Sequence, residues 1–188
     1  EQLQEGINEV PAARSMKQAL ASSDSGIIAE FKRRSPSKGW IKQEARPEEI
    51  VPSYVAAGAS ALSILTDEKF FGGSLKDIRT ARPLVDVPII RKDFIIDEYQ
   101  LYQAKIVGAD AVLLIAAALK QEKCQDLAEQ AHELGLEVLL EIHSAEELPY
   151  INSKIDMIGI NNRNLGTFFT DVENSFQLAG QLPQDAVL

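Results

Sequence analysis

The chain has 188 residues, 45% hydrophobic and 25% charged, the balance of one ordinary globular domain that buries a sizeable core. Lys and Arg number 19 against 28 Asp and Glu, a net charge of −9, so nucleic acid and acidic membrane surfaces are repelled overall and any anionic ligand needs a local basic site. The single cysteine, Cys124, excludes an internal disulfide. With no apolar run near the ~20 residues of a membrane span and no basic leader ahead of one, a reducing cytoplasm is the expected setting.

Short apolar, β-rich runs recur along the chain at Gly26–Lys32, Ala61–Thr66, Val87–Phe94, Ala111–Ala116, Glu137–His143 and Met157–Asn162, each the length of a buried strand. Helical spacing fills the intervals. Pro47 suits a first helical turn, whereas Pro52 and Pro149 fall about a turn and a half into their segments and predict a shortened or kinked helix. Asp97 with Gln100 predicts a capping pair ahead of Leu101, Ala104 and Val107, and Gly108 predicts the stop. Over Lys120–Leu134, Cys124, Leu127, Ala128, Ala131 and Leu134 fall on one face before Gly135, which makes Cys124 a core residue rather than a nucleophile. Six alternations, with strands apolar on both faces, call for a parallel sheet covered by helices, wound by right-handed crossovers into a barrel or a doubly wound sheet.

The strands turn polar at their C-terminal ends, where α/β enzymes place their chemistry. Glu30 and Lys32 are two apart and share a face of the first strand, as do Lys92 and Phe94 on the third and Glu141 and His143 on the fifth; the sixth ends in Asn161, Asn162 and Arg163. Any one of these charges, taken alone, ordinarily meets water, and Glu30 with Lys32, or Lys92 with Asp93, could simply neutralise each other. Repetition on four strands favours the barrel, because it brings two lysines, two glutamates and an amide to one mouth. A lysine there serves as an acid near neutrality when a dry site and a second cation disfavour its charge. His132, near a helix C-terminus, and His143, at a strand end, are given no role.

Missing motifs prune the alternatives. The sequence holds no P-loop, no G-x-G-x-x-G after a strand, no nucleophile elbow, no H-E-x-x-H and no cysteine pair. Its two histidines lie apart and no acidic residues are spaced as in a calcium loop, so no metal is expected. Ser35-Pro36-Ser37 with Lys38 and Gly39 reads by itself as a polar turn, and Phe70-Phe71-Gly72-Gly73 as packing under a loop.

Four segments nevertheless carry a resemblance: Glu30-Phe31-Lys32-Arg33-Arg34-Ser35-Pro36-Ser37-Lys38-Gly39; Leu65-Thr66-Asp67-Glu68-Lys69-Phe70-Phe71-Gly72-Gly73-Ser74; Arg91-Lys92-Asp93-Phe94-Ile95-Ile96-Asp97; and Gly159-Ile160-Asn161-Asn162-Arg163-Asn164-Leu165. In this order they resemble the signature segments of the indole-3-glycerol phosphate synthase family. The resemblance implies a (β/α)8 TIM barrel over residues 26–188, preceded by a short helical extension over 1–25. It implies conversion of 1-(2-carboxyphenylamino)-1-deoxyribulose 5-phosphate to indole-3-glycerol phosphate by a carboxy-lyase of tryptophan biosynthesis, without cofactor or metal. Carried over by motif, Lys92 is the general acid of ring closure and Glu141 the acid–base group of dehydration. Glu30 and Lys32 flank the reacting centre and Asn161 is a hydrogen-bonding partner. Ser35, Ser37 and Arg163 contact the anthranilate carboxylate or its surroundings, and Phe71 and Phe94 wall the aromatic ring.

The chain ends at Ala186-Val187-Leu188, which resembles the opening of a seventh strand. The family's Ser-Glu-Ser-Gly-Ile segment, eighth strand and last helix do not follow, so the expected fold is a barrel truncated after six strands and the start of a seventh, a piece of a longer enzyme. In such barrels the loops after strands seven and eight hold the phosphate. The expected partner is the phosphorylated small-molecule substrate, with no nucleic acid and no membrane; fusion to or association with other tryptophan-pathway domains stays open. Rival readings are a non-catalytic phosphosugar-binding module, a sister barrel such as phosphoribosylanthranilate isomerase or the tryptophan synthase α subunit, and a half-barrel unit that self-associates through its open edge.

Overall fold

In the computed structural model the described residues are 7, 10–163, 170–184, 186 and 187. The strands are β1 (Ile28–Phe31), β2 (Arg34–Ser35), β3 (Gly39–Trp40), β4 (Ala61–Leu65), β5 (Ile89–Lys92), β6 (Ala111–Ile115), β7 (Glu137–Ile142) and β8 (Met157–Ile160). Six of them form one parallel sheet in the order β1-β4-β5-β6-β7-β8, and β2 with β3 makes a separate antiparallel hairpin. All six predicted runs are therefore strands of the sheet, each one to four residues shorter than its apolar run. The hairpin replaces the simple turn read at Ser35-Pro36-Ser37. Gly39, at φ +66°, lets the chain reverse there.

Helices α1 (Met16–Ser22), α2 (Pro47–Ala56), α3 (Glu68–Phe71), α4 (Leu75–Ala81), α5 (Glu98–Val107), α6 (Gln121–Glu133) and α7 (Val172–Ala179) complete the described layer. Asp97 and Gln100 form the full capping box of α5, and Gly108 ends it at φ +93°. In α6 the stripe Cys124, Leu127, Ala128 and Ala131 is buried, and burial pushes the Cys124 thiol up to about 11, as a core cysteine requires. Pro47 opens α2, and Pro52 sits inside it without ending it. Pro149 has the larger effect, since its segment, Ala145–Tyr150, is a short 3₁₀ helix.

The pleat sorts each strand. Ala61, Ile90, Ala111, Leu113, Ile115 and Met157 form an inner cluster, plugged by the fully buried Met16 of α1. Their neighbours Leu62, Ile64, Ile89, Val112, Leu114, Val138 and Leu140 pack outward with Val51, Ile78, Leu101 and Leu127 of the helices. Of the predicted extension, residues 1–6, 8 and 9 lie outside the described residues, while α1 is held to the sheet by Lys17 N donating to Glu137 Oε2 at 2.8 Å. Of the predicted seventh strand, Leu188 lies outside the described residues, and Val187 makes a parallel bridge to Met157.

At the N-terminal ends of the strands one motif occurs twice. Asp110, just before β6, accepts from Ile89 N at 2.8 Å, Arg82 Nη1 at 2.6 Å and Arg14 N at 2.7 Å. Asp156, just before β8, accepts from Val138 N at 2.8 Å and contacts His132 Nε2 at 2.8 Å. Each carboxylate thus ties the neighbouring strand to a cationic or imidazole side chain from the segment that precedes that strand. His132 is accordingly a floor contact rather than part of the mouth. Among the described residues no helix is long and apolar enough to cross a membrane.

Because the Asp110 side chain is only 3% exposed, Asp110→Ala leaves Arg82 buried without its anion. It should cost about 3–5 kcal/mol in urea unfolding, whereas Arg46→Ala, which removes an exposed pair with Glu48, should leave the midpoint unchanged.

Candidate active site

Alternation along β1 turns Phe31 outward into the core, at 3% exposure, and leaves Glu30 and Lys32 on the opposite face. The same rule on β5 sends Arg91 outward and Lys92 inward. Arg91 is 4% exposed and locked by Nη1 to Gln100 O at 2.6 Å, Nε to Thr66 Oγ1 at 3.0 Å and Nη2 to Asp93 Oδ2 at 3.0 Å. Thr66 donates to the same Asp93 oxygen, and Asp93 Oδ1 accepts from Phe94 N at 2.8 Å. Lys92 therefore stands between two residues pinned to the outside of the sheet.

Across the mouth Lys92 meets Glu30, not Asp93. Nζ of Lys92 lies 2.7 Å from Glu30 Oε2, Nζ of Lys32 lies 2.6 Å from Oε1, and Ser63 Oγ from β4 approaches Oε2 at 3.4 Å. Burial pushes the Glu30 carboxyl up, but the Lys92 charge, hydrogen bonds from both lysines and the Lys32 charge outweigh it and hold the group below its ordinary value. Both lysine side chains are 36% exposed, so the site is open to solvent rather than the dry pocket expected from the sequence.

From β7 and β8 come the other predicted polar groups. Asn161 Nδ2 donates to Glu141 Oε1 at 3.2 Å, and Asn161 Oδ1 accepts from Arg163 N at 3.0 Å. Arg163 is exposed and bridges Thr170 by backbone, while Asn164 and Leu165 of the same segment lie outside the described residues.

The aromatic residues gather over the loops. Phe94 is 39% exposed, with Phe71 at 6.4 Å and Phe70 edge-on at 6.3 Å between ring centroids. They owe this to α3, which Asp67 caps and Gly72 ends in a left-handed turn. A Cβ at Gly73 would lie 2.2 Å from Leu65 O, so the chain leaves β4 this closely only with glycine there. Ser35 Oγ accepts from Lys38 N at 3.2 Å inside the hairpin, and Ser37 is exposed at its tip.

The family model for indole-3-glycerol phosphate synthase matches residues 1–188, and a protein of that name from Bacteroides thetaiotaomicron is 97% identical over 100% of this chain and 72% of its own length. The chain belongs to the indole-3-glycerol phosphate synthase family. A second relative of that name, from Rhodopirellula baltica, is 47% identical over 96% of this chain and 70% of its own length. The solved tryptophan synthase alpha chain from Legionella pneumophila aligns at a TM-score of 0.55 over 95% of this chain and 72% of that one; at 16% identity it shows the fold alone. The family is one of carboxy-lyases of tryptophan biosynthesis built on the TIM barrel.

Family motifs named the residues at the mouth but not their supports. Ser63 was hidden as a lone hydroxyl in an otherwise apolar strand. Arg33, inside a quoted segment, binds Asp77 through Nη1 at 2.6 Å and Nη2 at 2.9 Å and Ala45 O through Nε at 2.8 Å, which anchors the chain just past β1. No local signal pairs it with a residue 44 positions away.

A carboxyl depressed in the fold contributes stability above its ordinary value of 4.5, lost as pH falls through the folded value. Followed by carboxyl-carbon NMR, Glu30 should titrate below 4.5, and Lys92→Met should move its midpoint upward.

Proposed function

We propose that the chain supplies the acid–base groups of indole-3-glycerol phosphate synthesis, with Lys92 and Glu141 in the two proton-transfer roles. The observation that supports this most is the shared anion at the mouth: one carboxylate, Glu30, orients the ammonium groups of Lys32 and Lys92 on the inner face of the sheet. Such an arrangement suits a proton donor for a ketone oxygen that gathers charge.

In the first step the ring carbon bearing the anthranilate carboxylate attacks the ribulose carbonyl carbon, and Lys92 gives its proton to the carbonyl oxygen. Loss of carbon dioxide returns the bonding pair to the ring and restores aromaticity. Glu141 then takes up the proton released as the ring double bond forms and returns it to the new hydroxyl, which leaves as water. Carbon dioxide and water are the only leaving molecules, so no electron donor or acceptor is needed. Lys32 neutralises substrate oxygens beside Glu30, and Asn161, bonded to Glu141 Oε1, fixes the carboxylate's direction. Phe71 and Phe94 supply a face for the aromatic ring, with Ser35, Ser37 and Arg163 toward its carboxylate.

The test is indole-product fluorescence from 1-(2-carboxyphenylamino)-1-deoxyribulose 5-phosphate, run on this chain and on the chain extended to the length of its relatives. Product formation is expected at least in the extended form; none from either folded protein rejects the reading. In the active form Lys92→Ala should lower kcat by roughly 10²–10⁴ with a small change in KM. Glu141→Gln should lower kcat comparably, and a parental rate in either variant removes that residue from the mechanism.

A further inference from the structure

Next to Glu141 the mouth holds an imidazole that hydrogen-bonds to nothing described. Both ring nitrogens of His143 are buried and, among the described residues, have no hydrogen-bond partner, which is an uncommon and costly state for polar atoms. They lie between two carboxylates. Nε2 is 3.6 Å from Glu141 Oε1, and Nδ1 is 3.8 Å from Glu147 Oε2. These separations are long for hydrogen bonds and short for charge attraction in a site whose three side chains are 14–16% exposed. The ring is held there by its backbone: His143 N donates to Glu147 Oε2, and its carbonyl accepts from Asn174 Nδ2 of α7 at 2.9 Å.

We propose that His143 is a positioning residue for Glu141, an imidazole set between two carboxylates that fixes where the Glu141 carboxylate stands at the mouth. The inference rests on the role proposed above for Glu141. The groups around it fit. Its own strand contributes Glu141, and the 3₁₀ helix Ala145–Tyr150 contributes Glu147, with Glu146 exposed and bonded to Ser144. The segment after β8 offers the Asn161 amide, α7 offers the Asn174 amide, and β6 ends in Ile115, in register with Glu141.

The experiment compares kcat and KM of the chain extended to the length of its relatives, as parent, His143→Asn, His143→Gln, Glu141→Gln and the double variant Glu141→Gln/His143→Asn. Two His143 variants are used so that one that fails to fold leaves the other to report. Without the imidazole the Glu141 carboxylate is free to turn out of line, so kcat should fall by roughly tenfold in the His143 variants. KM should stay within about twofold, and the double variant should match Glu141→Gln alone, because His143 acts through Glu141. A parental kcat in the folded His143 variants, or losses that multiply in the double variant, overturns the inference while a slowed Glu141→Gln leaves the Glu141 reading standing. A parental rate in Glu141→Gln removes that reading and this inference with it.

Discussion

The site depends on the two-residue pleat of a parallel sheet covered on one face by helices. In β5 the buried face takes Ile89 and Arg91 and the inner face takes Ile90 and Lys92. A slip of one residue would drive Lys92 under the helices and put Arg91 at the mouth, losing every bond that Arg91 makes to Thr66, Gln100 and Asp93. Register is thus set by the outer face, and the chemistry of the inner face is inherited from it. The same holds on β1, where Phe31 in the core fixes which way Glu30 turns.

Within that frame the two ends of the strands use charge differently. At the N-terminal ends, Asp110 and Asp156 each direct their oxygens to backbone N–H and one side chain, and Asp110 is almost closed to solvent. At the C-terminal ends a single carboxylate is shared between two lysines that remain a third exposed. Closed pairs hold strands together, while half-open pairs keep ammonium groups oriented yet reachable. In a chain with net charge −9, two cations are thereby concentrated at one mouth.

Much of this was legible beforehand. The apolar runs located all six strands of the sheet, since burial on both faces leaves short, unbroken hydrophobic segments, and Asp97 with Gln100 announced α5 by side-chain chemistry alone. Glu30, Lys32, Lys92, Glu141 and Asn161 were marked by lying where strands turn polar, and the structure brings the first three into direct contact and the last two into another. What stayed hidden depends on distant pairing. Lys92 finds Glu30 across 62 positions, and Arg33 finds Asp77 across 44. The β2–β3 hairpin was obscured because its strands are two residues each, too short to show a period. Pro52 and Pro149 looked alike in sequence, but one sits within an α-helix packed on the sheet and the other in a 3₁₀ turn.

The floor of the barrel also dictates an order of assembly. Arg14 N reaches Asp110 across 96 positions and Lys17 N reaches Glu137 across 120, so α1 has no docking site until β6 and β7 have left the ribosome. Until then Met16, which ends fully buried, has no barrel interior to enter. The described helix earliest in the sequence is thus among the last to find its place, and through that interval the nascent chain carries an apolar helix face that chaperones could hold.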